Sequence, residues 1–267
     1  MESGRYGLSP CKNDFATIAL GHSALAALLW FGGEMTNISA DARFMRNTGI
    51  VLLLLSVLAF APRYFAPLMA GSYQPPSSWM HPHAISAMLW ALIFIIQPWL
   101  IVQNKPALHR RIGFVSCIVA VINVVSGIAV QLDILPTTPE DFSNVVGGGF
   151  RVFHSVPAFV LFFVAALAMR RRPDWHLRFM YQTAIAAVAT VLGRLYLFYG
   201  QLPGEIISVL IPLGNLGFVL LLPIYDYLKY RKVHPASWIG VAAFFAFQVI
   251  VTPIVFSDLW INFATGN

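Results

Sequence analysis

Four histidines occupy comparable places in the sequence and are the residues best suited to chemistry. Each lies within about two turns of the start of one of four successive apolar segments, and they are His83, His109, His154 and His176. A neutral imidazole binds iron, copper or zinc, and it can gain or lose a proton near neutral pH. Because successive membrane spans run in opposite directions, the sequence predicts two layers. His83 and His154 form the outer layer, and His109 and His176 form the inner one.

A short pattern recurs around the two inner histidines. Residues 105–111 and 172–178 each read as a basic residue, proline, two further residues, histidine, one further residue and arginine. This repetition predicts that spans three and four form one helical hairpin and spans five and six a related one. Transporters and cofactor-binding bundles both place their sites between such repeated units.

Paired histidines at one depth suit a b-type haem, which takes two axial imidazoles from facing helices and needs apolar walls. Two such layers would carry electrons from one side of the membrane to the other. Aromatic residues make up 14% of the chain and could line the macrocycle. The candidates for this wall are Trp90, Phe94, Phe114, Phe153, Phe159 and Tyr181.

The histidine layout resembles that of diheme b-type transmembrane cytochromes, including the ascorbate-dependent and ferric-reductase-like families, over roughly residues 78–200. The resemblance implies haem b as cofactor, with His83 paired with His154 and His109 paired with His176. It also implies electron transfer, with a quinone or a small redox molecule as partner. Residues 78–200 would then form a four-helix cofactor core within a single transmembrane domain of 267 residues.

Three stretches also resemble a group of uncharacterised bacterial multispanning proteins, and this likeness covers most of the chain. They begin at His83, His109 and His176 and read HAISAMLW, HRRIG and HLRFM. The resemblance implies a bacterial cytoplasmic membrane but no particular activity.

Arg194 is the most costly residue of the predicted membrane region, because a charge there needs a partner or water. It lies about four turns beyond His176 on the same predicted helix. A haem propionate, a carboxylate substrate or Glu205 could pair with it. Arg194 therefore supports a second hypothesis, a transporter or a lipid- or anion-binding protein with a cavity near this residue.

A third hypothesis is a non-haem metal enzyme that uses the outer histidines, with His22 as a further imidazole. The lack of paired carboxylates within the predicted spans counts against it. Simpler roles also remain open: His109 and His176 could contact lipid headgroups, and His154 could be a hydrogen-bonded core residue. His234, which precedes Pro235, is interpreted as the interfacial start of the last helix.

Composition places these residues in a membrane. The chain has 267 residues, of which 58% are hydrophobic and 10% are charged, whereas a soluble domain is about 25% charged. Hydropathy predicts an all-α bundle of about eight spans, the second of them short. The predicted spans are Phe15–Phe31, Thr48–Phe60, Ser78–Val102, Ala107–Leu132, Phe150–Met169, Asp174–Tyr199, Glu205–Leu228 and Ala236–Phe256.

Prolines and glycines mark the predicted span boundaries. Pro62 and Pro67 follow the second span, and the glycines at 147–149 precede the fifth. Pro106 and Pro173 stand where the fourth and sixth spans begin, as expected of a first helical position. Ser77 or Ser78 is expected to cap the third span.

The net charge of +6 comes from basic residues grouped in loops between apolar segments, which argues against nucleic-acid binding. The basic-rich face carries twelve Lys and Arg: Arg43, Arg46, Lys105, Arg110, Arg111, Arg170, Arg171, Arg172, Arg178, Lys229, Arg231 and Lys232. The other face carries four: Arg5, Lys12, Arg63 and Arg151. The positive-inside rule therefore predicts that the basic-rich face is cytoplasmic and that both termini lie outside.

Overall fold

The computed structural model describes residues 37–135, 142–200 and 202–266 of the chain. Seven described helices are long and apolar enough to cross a membrane: α1 (Ile38–Met69), α2 (Met80–Val102), α3 (Pro106–Ile134), α4 (Val145–Ala168), α5 (Pro173–Gly200), α6 (Ile206–Tyr230) and α7 (Pro235–Val255). A short helix, α8 (Asp258–Thr265), follows them. The prediction of an all-α polytopic bundle is confirmed. The first predicted span, Phe15–Phe31, lies outside the described residues.

Local sequence signals set several of the helix starts. Pro106, Pro173 and Pro235 each stand in the first turn of their helix, where a missing N–H costs least. At the start of α2, the hydroxyl of Ser77 accepts a hydrogen bond from the N–H of Trp79 at 3.0 Å. The same hydroxyl donates to Asp133 Oδ2 at 2.6 Å, which ties the entry of α2 to the end of α3.

The helix α1 is longer than the predicted second span, Thr48–Phe60. It begins at Ile38 and continues through Pro62 and Pro67 to Met69, so the two prolines do not end it. A π-helical turn at Ala61–Phe65 carries the chain past the first proline. Pro62 and Pro67 each lie in the first two positions of a new segment of α1, and the helix continues through both.

The prediction that the glycines at 147–149 precede a helix is also wrong, because they lie within the helical segment Phe142–Phe150. Their role is close packing. A Cβ on Gly149 would lie 2.7 Å from Val255 Cγ2 and 2.9 Å from Trp260 Nε1. Glycine therefore lets α7 and α8 approach this part of the bundle.

The two predicted hairpins are present, since α2 packs along α3 and α4 packs along α5. Between the hairpins, large side chains make the contact. The Trp90 ring lies edge-on to Phe159 at 4.9 Å and to Phe163 at 5.4 Å between ring centroids. The remaining spans, α1, α6 and α7, meet α5 in a separate apolar cluster that includes Met45, Tyr181 and Leu222.

Candidate functional site

The structure brings the two inner histidines together. The ring centroids of His109 and His176 are 6.4 Å apart, and the ring planes are nearly perpendicular at 84°. Each histidine lies three residues after the proline that begins its helix, α3 or α5. The sequence repeat therefore corresponds to a pair of adjacent imidazoles.

Each inner imidazole is held by a backbone carbonyl of the other helix in its own hairpin. His109 Nδ1 lies 3.3 Å from the carbonyl oxygen of Gln97, and His176 Nδ1 lies 2.8 Å from that of Ala166. A carbonyl oxygen can only accept, so each Nδ1 donates and the neutral ring keeps its free lone pair on Nε2. Metal-binding histidines are commonly oriented by such a bond from the second ring nitrogen.

Basic residues lie next to both histidines in the sequence. Arg110 and Arg111 are exposed, and Arg172 is half-buried just before α5. Among the described residues, the Nη1 atom of Arg172 is buried without a hydrogen-bond partner. The inner site therefore combines two imidazoles with guanidinium groups that could hold an anion, such as a carboxylate or a phosphate.

The predicted outer pair, His83 and His154, has ring neighbours on different helices. The His83 ring lies against α3, with Nδ1 3.5 Å from Ser126 Oγ. The His154 ring instead faces α7, with its centroid 5.3 Å from that of Phe247. The pairing of these two histidines remains a prediction.

Arg194 is half-buried, and its guanidinium carbon lies 4.5 Å from the centroid of the Phe60 ring. This cation–π contact compensates part of the cost of a charge near the membrane. Arg194 is also close enough to His83 and Arg151 to interact electrostatically with both. The side chain of Glu205, its predicted acidic partner, is outside the described part of the structure.

The predicted aromatic wall divides between several environments. Trp90 and Phe159 lie between the two hairpins, as a wall requires. In contrast, Phe114 is 73% exposed on the outside of the bundle. Tyr181 belongs to the apolar cluster that α5 shares with α1, α6 and α7. Phe153, in the first half of α4, packs on Trp260 of α8. Trp90 and Phe159 are therefore the best placed of the predicted set.

A buried charge network was missed by the sequence analysis. Arg178, counted there among the loop cations, has no exposed surface. Its Nε and Nη2 atoms donate to the two carboxylate oxygens of Asp226 at 3.2 and 2.5 Å. A second buried carboxylate, Asp41, lies 4.0 Å from Arg178 Nη1. Asp41, in the first turn of α1, and Asp226, near the end of α6, therefore flank one arginine.

This charge network joins α1, α5, α6 and α7. Asp226 Oδ2 accepts hydrogen bonds from Ser237 Oγ and from the N–H of His234. His234 Nε2 lies 3.2 Å from Asp174 Oδ2, and its Nδ1 accepts from the N–H of Ala236. His234 does begin the last span as predicted, but it is fully buried. The Asp41 Oδ1 atom accepts from three groups on α6, which are Tyr225 Oη, Lys229 Nζ and Tyr230 Oη.

The third hypothesis required a cluster of metal-binding side chains. Within residues 37–135, 142–200 and 202–266, no three His, Cys, Asp or Glu side chains converge on a possible metal position. The remaining predicted donor, His22, lies outside those ranges. The chain also matches no protein-family model, no curated protein and no solved structure.

Proposed function

We propose that this chain is a membrane electron-transfer protein that binds haem b between His109 and His176. One observation carries the proposal: the two imidazoles are adjacent, and each has its Nδ1 fixed on a backbone carbonyl. Both rings are thereby oriented with Nε2 available as a ligand. The pairing matches the one expected from the repeated sequence pattern.

The dimensions and surroundings of the pair suit this cofactor. Two metal–nitrogen bonds of about 2 Å and two ring radii of roughly 1 Å sum to about 6 Å, close to the 6.4 Å between the centroids. His109 and His176 could therefore each offer one ring nitrogen to a haem iron held between them. Arg172, with an unpartnered buried nitrogen, is suited to hold a propionate.

Haem b, when bound, supplies one-electron chemistry whose potential depends on its ligands and surroundings. The protein residues would do three things. His109 and His176 would hold the iron, Arg172 would orient the carboxylates, and Trp90 with Phe159 would keep water from the space between the hairpins. A quinone or a small redox molecule is the proposed electron partner.

A second haem held by His83 and His154 would extend the path across the membrane. This part of the proposal depends on the sequence spacing. The positions of Arg151 and Arg194 support it, because both cations lie toward the same end of the bundle as the two histidines and could hold propionates.

The positive-inside rule supports an orientation in which the basic-rich end is cytoplasmic. When the buried Arg178 is left out, the basic-rich face still carries eleven Lys and Arg residues and the opposite face carries four. The seven described spans then carry the chain from the cytoplasmic end at Ile38 to the outside after Val255. We propose the bacterial cytoplasmic membrane as the location, with both termini outside.

The experiment is a reduced-minus-oxidised absorption spectrum of protein purified after expression with ample haem. We expect a b-type α-band from which the component of the inner haem is lost in His109→Ala and in His176→Ala. Any second component should be lost instead in His83→Ala. His81→Ala is the matched control, because His81 contacts Tyr64 away from this pair and should leave the band unchanged. Folded protein with no α-band would overturn the proposal, as would a band whose shape and intensity are unchanged when both inner histidines are replaced.

A second candidate, binding of an anionic lipid headgroup at the same end, is favoured by the unpartnered nitrogen of Arg172. It predicts that wild-type protein is colourless and retains phospholipid through purification. Native mass spectrometry should then show loss of that lipid in Arg172→Gln but not in Arg46→Gln, whose guanidinium already donates to Asn47.

A further inference from the structure

A small cavity lies inside the bundle between α4, α5, α6 and α7. Its wall is mostly apolar, with Phe244 and Phe247 among the lining residues. The volume open to the centre of a water molecule is about 20 Å³. The predicted cavity beside Arg194 is a different place, since Arg194 does not line this one.

Three polar atoms in the cavity wall have no hydrogen-bond partner among the described residues. They are His154 Nε2, Gln182 Nε2 and Asn215 Oδ1. The side chains that carry them are nearly inaccessible, with exposed fractions of 6%, 4% and 2%. Buried polar groups are almost always satisfied by protein or by ordered water, so these atoms together indicate a missing ligand.

The three groups are complementary to water. An amide nitrogen donates, an amide oxygen accepts, and a neutral imidazole nitrogen does either according to its tautomer. Water both donates and accepts, so it satisfies this set whichever way the two amides are turned. A buried water molecule typically makes about three hydrogen bonds and needs roughly 10–15 Å³ for its centre. The cavity therefore has room for the centres of one or two water molecules.

The backbone around the cavity departs from regular α-helix in two places. His154 lies in a π-helical turn, Arg151–Ser155, within α4. In addition, α5 is interrupted at Ala186 and Ala187, between the segments Pro173–Ile185 and Val188–Leu195. Single π turns inside α-helices are frequent at functional sites. Both departures touch one cavity, which His154 and Ala186 help to line.

Gly240 makes room for the amide of Gln182. A Cβ at position 240 would lie 2.0 Å from Gln182 Nε2 and 2.5 Å from its Cδ. Any larger residue would therefore displace the Gln182 side chain. Glycine at position 240 therefore leaves the space that the Gln182 amide occupies.

We propose that this cavity is a binding site for one or two water molecules, held by His154, Gln182 and Asn215. The water hydrates an imidazole inside the membrane-spanning bundle, where His154 would otherwise have a dry, unpaired nitrogen. A hydrated imidazole can exchange protons with its surroundings. The site is separate from the inner histidine pair and does not depend on the inner haem. Because it uses His154 Nε2, it is an alternative to the outer haem on His83 and His154.

The test uses full-length protein in lipid nanodiscs or bilayers, with water itself as the probe. Water-edited solid-state NMR of ¹⁵N-histidine protein should show transfer from water to the His154 ring. We expect that signal to fall several-fold in Asn215→Leu. Gln248→Leu is the matched control, because Gln248 is also an amide within a span but does not line the cavity, and the signal should persist there.

A second measurement keeps the proposal testable if Asn215→Leu does not fold. A high-resolution map of the wild-type protein should contain one or two isolated peaks within hydrogen-bonding distance of the three atoms. An empty cavity, elongated density larger than two waters, or an unchanged NMR signal in folded Asn215→Leu would each overturn the proposal. Asn215→Leu should keep the b-type α-band component that depends on His109 and His176, so failure of the inner-haem proposal and failure of this one are distinguishable.

Discussion

Replacing Arg178 with methionine tests the buried charge network. Methionine keeps much of the side-chain volume and removes the guanidinium. In the wild type, this group donates twice to Asp226 and once to the carbonyl oxygen of Asp174. Asp41 would keep its three donors from α6. Asp226 would keep only its bonds from Ser237 and the backbone, so its charge would be poorly compensated.

The magnitude follows from these contacts. Two hydrogen bonds to a charged group are each worth about 1.5–3 kcal/mol, and breaking a buried ion pair by removing one partner costs about 3–5 kcal/mol. Both estimates place the loss in the free energy of unfolding for Arg178→Met at about 3–5 kcal/mol. Arg111→Met is the control, because Arg111 is exposed and its replacement should change stability by at most about 0.5 kcal/mol.

The assay is equilibrium unfolding in mixed micelles, followed by circular dichroism. The double variant Arg178→Met/Asp226→Leu separates the ion pair from general packing. Since it leaves no unpaired charge at Asp226, it should be more stable than Arg178→Met alone. The reasoning is refuted if the free energy of unfolding of Arg178→Met is within about 1 kcal/mol of the wild-type value. It is also refuted if the loss in the double variant equals the sum of the losses in Arg178→Met and in Asp226→Leu.

Two further predictions test packing and topology. Gly149→Ala should destabilise the protein by about 1–3 kcal/mol through overpacking against Val255. Gly217→Ala is the control, because its new Cβ would meet no atom within 4 Å, and it should be neutral or stabilising by up to about 1 kcal/mol. Equal losses of thermal stability in Gly149→Ala and Gly217→Ala would contradict this account. In a cysteine-free background, Ser72→Cys should react with an impermeant maleimide in intact cells and Gln103→Cys only after permeabilisation, whereas the reverse pattern would invert the proposed orientation.

Features that depend on neighbouring residues could be predicted from the sequence. Pro106 and Pro173 mark helix starts because proline is tolerated there and disfavoured further into a helix. The same local pattern placed His109 and His176 at equal depth on two helices. Their adjacency then required only that the two hairpins pack side by side.

Other features depend on residues far apart in the chain, and sequence patterns do not reveal them. Arg178 and Asp226 are 48 residues apart, and only the packing of α5 on α6 makes them partners. Pro62 resembled a helix end because its π-helical turn leaves no clear sequence signal. The role of Gly149 is likewise set by Val255 on another helix.

The helix α5 connects the proposed inner site, the charge network and the cavity. His176 and Arg178 are two residues apart, which places them about 200° apart around the helix axis. Accordingly, His176 bonds to α4 while Arg178 bonds to α6. Gln182 follows Arg178 by about one turn on the same face and reaches the cavity. The ion pair therefore fixes the rotation of α5, and through it the direction in which His176 faces His109.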